Sequence, residues 1–320
     1  MLRPRSQLLV EMLEDRSVPA VTVLGFNAAD ISIVGDNQSN NIFVTLGSQG
    51  IEVHANAATT LALDPNTPAN WVIQNTPSLI ILNPNGPNQQ PTLDNLYISM
   101  LNGDDKVSIG ACAVNNNLII RDHPGGNDTV IIDNTRVGNN TYIYLTSGMD
   151  KVFLTSSQFT QDVFIRTAGG NDVVRFIPGT VIVGNNLGIY TGGGNDLVCV
   201  DPGTSGAVTL QVSGNTLIRT HPGDDFVRFG VPTTSGPTVD LKATVIDTGA
   251  GKDKIYMRDA IMSLLVALLG DDDDTVMNNW GTANVTVGFG SLLDGGNHVT
   301  GDSLPTGWSA PTGLTVVNFP

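Results

Sequence analysis

The sequence predicts an all-β fold, a right-handed parallel β-helix (β-solenoid) with coils of about 22 residues. Three observations predict it. Chain breakers are dense, with 36 Gly and 17 Pro in 320 residues, whereas each interior Gly costs a helix roughly 1 kcal/mol and each Pro about 3. A local pattern built on one Asp recurs along most of the chain. Short Val, Ile and Leu runs separate the turns, which argues against disorder.

The repeat is anchored on Asp105, Asp128, Asp150, Asp172, Asp196, Asp225, Asp253 and Asp274. Two residues after each stands Val107, Val130, Val152, Val174, Val198, Val227, Ile255 or Val276, all β-branched. Two residues before stands Gly103, Gly126, Gly148, Gly170, Gly194, Gly223 or Gly251; Asp272 alone departs. Seven residues before stands Ile98, Ile143, Ile165, Ile189, Ile218 or Ile246. The grammar is strand, glycine turn, strand, variable turn. Side chains alternate along a strand, so in 187–200 Asp196 and Val198 share one face. A unit this short cannot bury its own core, so stacked units must bury a common column.

Regular coils are expected over 97–302, with His298 in the Asp place of a last, degenerate turn. Residues 21–96 read as degenerate first coils, with Asn41 in the Asp place and a loop-rich insertion over 56–96. Residues 303–320 form a C-terminal tail, and the apolar run 260–269 is assigned to a strand by the register rather than to a short helix.

Charge narrows the function. Fifteen basic residues against 30 acidic ones give −15, and phosphate-backbone binding needs clustered Lys and Arg. Nucleic acid and anionic membranes are therefore excluded, and metal cations or a basic surface are the natural partners. Two cysteines make no disulfide framework, and no apolar run reaches the roughly 18 residues of a transmembrane segment. The histidines His54, His123, His221 and His298 show no zinc spacing. His123 and His221 precede Pro in a turn.

Two resemblances add to this. LEDRSVPA, Leu13 to Ala20, resembles a sorting motif of the LExRxVPA type that heads many large bacterial surface and secreted proteins. It implies that residues 1–20 are an export segment and that the protein is extracellular. GGGNDLV at 192–198, GGNDTV at 125–130 and GGNDVV at 169–174 resemble the haemolysin-type calcium-binding repeat, GGxGxDxUx. This implies calcium at the turns, with Asp105, Asp128, Asp150, Asp172, Asp196, Asp225 and Asp253 among the ligands. The family runs two nine-residue turns per coil, whereas here one turn recurs per coil, so a facing half-site is missing.

Physical reasoning reaches the same column. Stacked carboxylates about 5 Å apart repel by roughly 3 kcal/mol at an effective dielectric near 20, before screening. Turn N–H groups, protonation or bridging hard cations can relieve this. Asp104, Asp224 and the run Asp271, Asp272, Asp273, Asp274 thicken the acidic column. Alternatively, Asp and Asn here simply build turns.

Two outward rows complete the reading. Tyr144, Arg166, Tyr190, Arg219 and Asp247 lie six residues before their Asp, and a Tyr–Arg row could stack sugars or a protein partner. The other is apolar: Val173, Leu197 and Phe226, with Ile131, Phe153, Cys199, Tyr256 and Met277. It is core if the 56–96 insertion covers it and a contact surface if not. Cys199 falls on this face and is expected to be the more reactive thiol unless covered. No nucleophile elbow, P-loop or dinucleotide fingerprint occurs. The expected function is an exported, non-catalytic surface or matrix module for structure or adhesion, with calcium at its turns. The alternative is a carbohydrate-active β-helix that binds or cleaves an extracellular polysaccharide, which requires two placed carboxylates and a groove.

Overall fold

The computed structural model describes residues 20–26, 29–86, 88–200, 208–230, 239–278, 283, 285–297 and 301–319. They form a β-solenoid of about eight turns with coils roughly 24 residues apart. Steps between coils are 22 to 24 residues in the middle of the stack. They lengthen to 28 and 29 where segments 201–207 and 231–238 are inserted. Those two segments lie outside the described residues, as do the sorting segment to Pro19 and His298.

A coil contains three strands rather than two. One coil has Lys106–Gly110, Ala113–Val114 and Leu118–Arg121. The next has Thr129–Asp133, Arg136–Val137 and Thr141–Tyr144. Pairing is parallel and in register, with Val107 opposite Val130, Val114 opposite Val137 and Ile120 opposite Ile143. The third strand occupies the variable turn, where two residues are too few to show alternation. A left-handed residue starts that corner in each coil: Ala111 at φ 49°, Asn134 at 45° and Ser156 at 47°.

The recurrent glycine has a steric cause. At Gly148, φ is 140° and an added Cβ would lie on the carbonyl oxygen of Gly126, one coil below. At Gly148 the coils approach too closely for any side chain. Asp272 departs in residue type only, since its φ of 86° is also left-handed.

The core is a set of axial columns. All eight β-branched residues after the Asp are buried, as are Ile98, Ile143, Ile165, Ile189, Ile218 and Ile246. Phe159, Phe176 and Phe229 are its largest fully buried side chains. The run 260–269 is indeed a strand, Ala260–Leu268, paired in parallel with Val239–Asp247.

Both ends correct the sequence reading in detail. Asn41 pairs with Lys106, which puts Asn40 beside Asp105; Asn40, not Asn41, holds the Asp place, because the first turn is one residue out of phase. At the other end the Asp place is held by Asp302, whose carboxylate receives the Asp274 N–H at 2.9 Å. Among the described residues, the insertion extends a sheet and does not lie over the outer face. Ile51–Ala55, Leu79–Leu82 and Val72–Thr76 continue one sheet edgewise as antiparallel strands beyond Asn41–Leu46. They move the edge of this sheet from Asn41–Leu46, the last parallel strand, out to Val72–Thr76. In the tail, Leu314–Val317 adds a parallel strand to Ser291–Asp294.

The apolar outer row stays partly open. Ile131, Phe153, Val173, Leu197, Phe226 and Tyr256 are half-buried and Met277 is exposed. Cys199 is the correction. It is fully buried between Arg175 and Arg228 of adjacent coils. Cys112 is also buried, which pushes its thiol up to about 12. Four coil steps of about 4.8 Å separate the two along the axis, far beyond disulfide reach, and neither is in a disulfide. A thiol reagent should therefore label neither cysteine in the native protein and both after unfolding, read by mass spectrometry. Labelling of Cys199 alone would show its cover to be open.

Candidate metal centre and outer aromatic face

The regular Asp side chains point into the solenoid, in phase with the buried Val column. Each leaves its turn one residue before the strand begins, so its carboxylate reaches the adjacent coil. The N–H groups of Asn40, Asp105, Asp128, Asp150, Asp172, Asp196, Asp225, Asp253 and Asp274 each donate to Oδ1 of the next Asp, at 2.6 to 2.9 Å. This relieves the column at one oxygen. Oδ2 of Asp105, Asp128, Asp150, Asp172, Asp196, Asp225, Asp253 and Asp274 is buried and receives no hydrogen bond.

The electrostatic consequence is uniform. Burial pushes Asp105, Asp128, Asp150, Asp196 and Asp253 up to about 7, Asp225 to about 6 and Asp274 to about 8. Asp172 moves the same way. The ladder N–H groups oppose the shift, as do the Thr hydroxyls beside Asp172, Asp196, Asp225 and Asp253, without cancelling it.

One place in the ladder differs. In the column of Met100, Leu145 and Thr167, fixed by their N–H bonds to the next coil, stands Asp122. The ligand oxygens of Asp105, Asp122 and Asp128 lie within 4.8 Å of one another, and all three residues are buried. Asp122 is 7% exposed, and its Oδ1 has no hydrogen-bond partner; Oδ2 accepts from the Thr146 hydroxyl at 3.1 Å. The three carboxylates border a cavity of ≈ 10 Å³ otherwise walled by residues such as Met100, Ile120 and Leu145, room for about one water-sized sphere. Burial raises Asp122 to about 6, against the lowering effect of the Thr146 hydroxyl, Asp128 and the His123 N–H, with the Asp105 charge adding a smaller push upward. No ion pair neutralises the three among the described residues. Two oxygens bound to one calcium at about 2.4 Å can be no more than about 4.8 Å apart, so the set fits a hard cation.

The remaining acids of the sequence reading do not converge among the described residues. Asp271 and Asp272 are exposed. Asp271 accepts from the Asn297 amide and Asp273 from the Gly301 N–H. Asp104 and Asp224 belong to an outer turn ladder, receiving the N–H of Asn127 and Lys252. His221 takes φ 68°, a turn conformation.

Sequence reasoning missed Asp122 because its turn is longer. Six residues separate Asp122 from Asp128, but five separate Thr167 from Asp172. Counting back from the Asp puts Asp122 in the outward Tyr–Arg row. Counting from Ile120, which aligns with Ile98 and Ile143, places it inward.

The Tyr–Arg row is real. Arg121, Tyr144, Arg166, Tyr190, Arg219 and Asp247 stack in register. Beside them run Tyr142, Phe164, Gly188 and Leu217. Ring centroids lie 6.0 Å apart for Tyr142–Tyr144, 5.6 Å for Tyr144–Phe164 and 5.0 Å for Phe164–Tyr190. The Arg121 guanidinium sits 5.7 Å above Tyr144, and Arg219 pairs with Asp247 at 3.4 Å. No helix among the described residues is long and apolar enough to cross a membrane. Compared with protein-family models, curated proteins and solved structures, the chain finds no match in any of the three.

Proposed function

We propose that the chain is an exported, non-catalytic β-solenoid, a surface or matrix module for structure or adhesion, whose early coils are locked by calcium held by Asp105, Asp122 and Asp128. The observation that carries the metal is the convergence of three buried carboxylates, each with an orphan oxygen, on a cavity of one-ion size. Two successive coils meet at this point, so one ion would tie them together. Backbone carbonyls and water would complete the shell of 6 to 8 oxygens that calcium takes. Export rests on the resemblance of LEDRSVPA to a surface-protein sorting motif. The non-catalytic reading rests on the acids themselves, since the ladder carboxylates are buried and engaged with backbone.

Scanning calorimetry of the full chain tests the ion. At a hundredfold excess over its dissociation constant calcium should add about 2.7 kcal/mol, or about 5 °C in melting temperature for a chain of this size. Chelator should reverse it. Asp122→Leu matches the apolar Met100 and Leu145 of its column, so it should abolish the calcium response without lowering the metal-free melting temperature. An unmoved wild-type transition would refute the centre. A response that survives Asp122→Leu would place binding elsewhere, with Asp271 to Asp274 first to be examined.

A further inference from the structure

The outer aromatic face holds one glycine among large side chains. In the column Tyr142, Phe164, Gly188, Leu217, the glycine interrupts a row of large side chains. Its φ is not left-handed, so no turn requires it. A Cβ there would lie 3.1 Å from Phe164 and 3.4 Å from Tyr190. The two rings lean close over the glycine, and the missing side chain leaves a shallow notch beside them that Gly188 lines. Two cavities, of ≈ 350 and ≈ 320 Å³, share Phe164 and Tyr190 as a common wall. Each is of the size that small ligands occupy. Asp162, Asn186 and Asn215 border the first, and Arg166 and His221 the second.

From this we infer that the face binds an acidic polysaccharide, a chain of pyranose rings bearing carboxylates, laid along the solenoid axis with one ring in the Gly188 notch. The apolar face of a pyranose stacks on aromatic rings, and its hydroxyls need a polar rim of the Asp and Asn kind. Coils rise about 4.8 Å each, a step comparable with one sugar unit, so an axial chain meets equivalent side chains repeatedly. Charge selects the acidic class. On a protein of net −15, the row places Arg121, Arg166 and Arg219 at every second coil. Arg121 is drawn over Tyr144 and Arg219 pairs with Asp247. Arg166 is exposed, makes no ion pair among the described residues and borders the second cavity. A guanidinium so placed takes a carboxylate in a two-pronged hydrogen bond. This deepens the adhesion reading by naming its ligand class. It does not depend on the calcium centre, whose carboxylates face the opposite side of their strands.

The test uses the full chain in chelator, titrated calorimetrically with a galacturonate hexamer and with its fully methyl-esterified, neutral counterpart. Wild type should bind the acid at least about tenfold more tightly than the ester, the scale of one charge-assisted contact. Arg166→Gln should bring the two to near equality. Gly188→Val makes the Phe164 ring turn aside; with a cooperative melting transition retained, it fills the notch and should weaken both ligands by at least tenfold. Asp122→Leu should bind as wild type does, which separates failure here from failure of the metal centre. No binding of either hexamer overturns the inference. So does equal affinity of wild type for acid and ester, or wild-type affinity in a folded Gly188→Val.

Discussion

Val198→Asp should abolish cooperative folding of the stack, while Val173→Asp in the preceding coil should be tolerated. Val198 is fully buried between Val174 and Val227 of the flanking coils. An unpaired carboxylate there has no donor and no water, and removal of the Val side chain leaves a void as well. Together these should cost about 5 kcal/mol or more, against a typical total stability of 5–15. A solenoid is held by contacts between neighbouring repeats, so one broken interface separates the coils on either side. Val173 is half-buried on the outer surface, in register with the exposed Lys151, and an Asp there keeps its water and gains a cation across the strand pair. Circular dichroism with urea titration of both variants decides the matter. Equal losses would mean that the side chains of this strand are assigned to the wrong faces.

The second large effect is an inverted pH dependence. Asp105, Asp128, Asp150, Asp196 and Asp253 are pushed up to about 7 in the folded chain, and Asp274 to about 8, from an ordinary 3.8. A carboxyl whose folded pKa is raised binds its proton more tightly in the folded state. Its stabilising contribution is complete below the unfolded value and is lost as pH rises through the folded one. In chelator, stability should therefore fall between about pH 4 and pH 8, opposite to ordinary acid unfolding. If only two of these carboxyls keep their protons to about one pH unit above pH 5, the loss between pH 5 and pH 8 amounts to about 2.7 kcal/mol. The melting temperature at pH 8 should then lie about 5 °C or more below that at pH 5. Asp150→Asn removes one charge and keeps the oxygen that accepts the Asp128 N–H. The variant should lie close to wild type at pH 5 and above it at pH 8. A wild-type profile that is flat or rises from pH 5 to 8 would show that the ladder N–H groups fully support ionised carboxylates.

The sequence by itself determined the all-β stack, the recurring Asp and the two inward columns of Val and Ile, because strand alternation and the glycine corner are local rules that every coil repeats. It also determined that the Asp side chain shares a face with the Val two residues on. Three things were decided only in tertiary structure. The two-residue third strand exists because neighbouring coils supply its hydrogen bonds, and nothing in Arg136–Val137 alone distinguishes it from a turn. The use of the insertion to extend the first sheet follows from the antiparallel pairing of its Leu79–Leu82 with Ile51–Ala55. The candidate metal centre depends on one extra residue between Asp122 and Asp128. Sequence counting measures distance along the chain, whereas stacking measures it across coils. The turn is one residue longer, the strand before it keeps register with its neighbours, and an acid counted as outward thereby stands in the core beside two others.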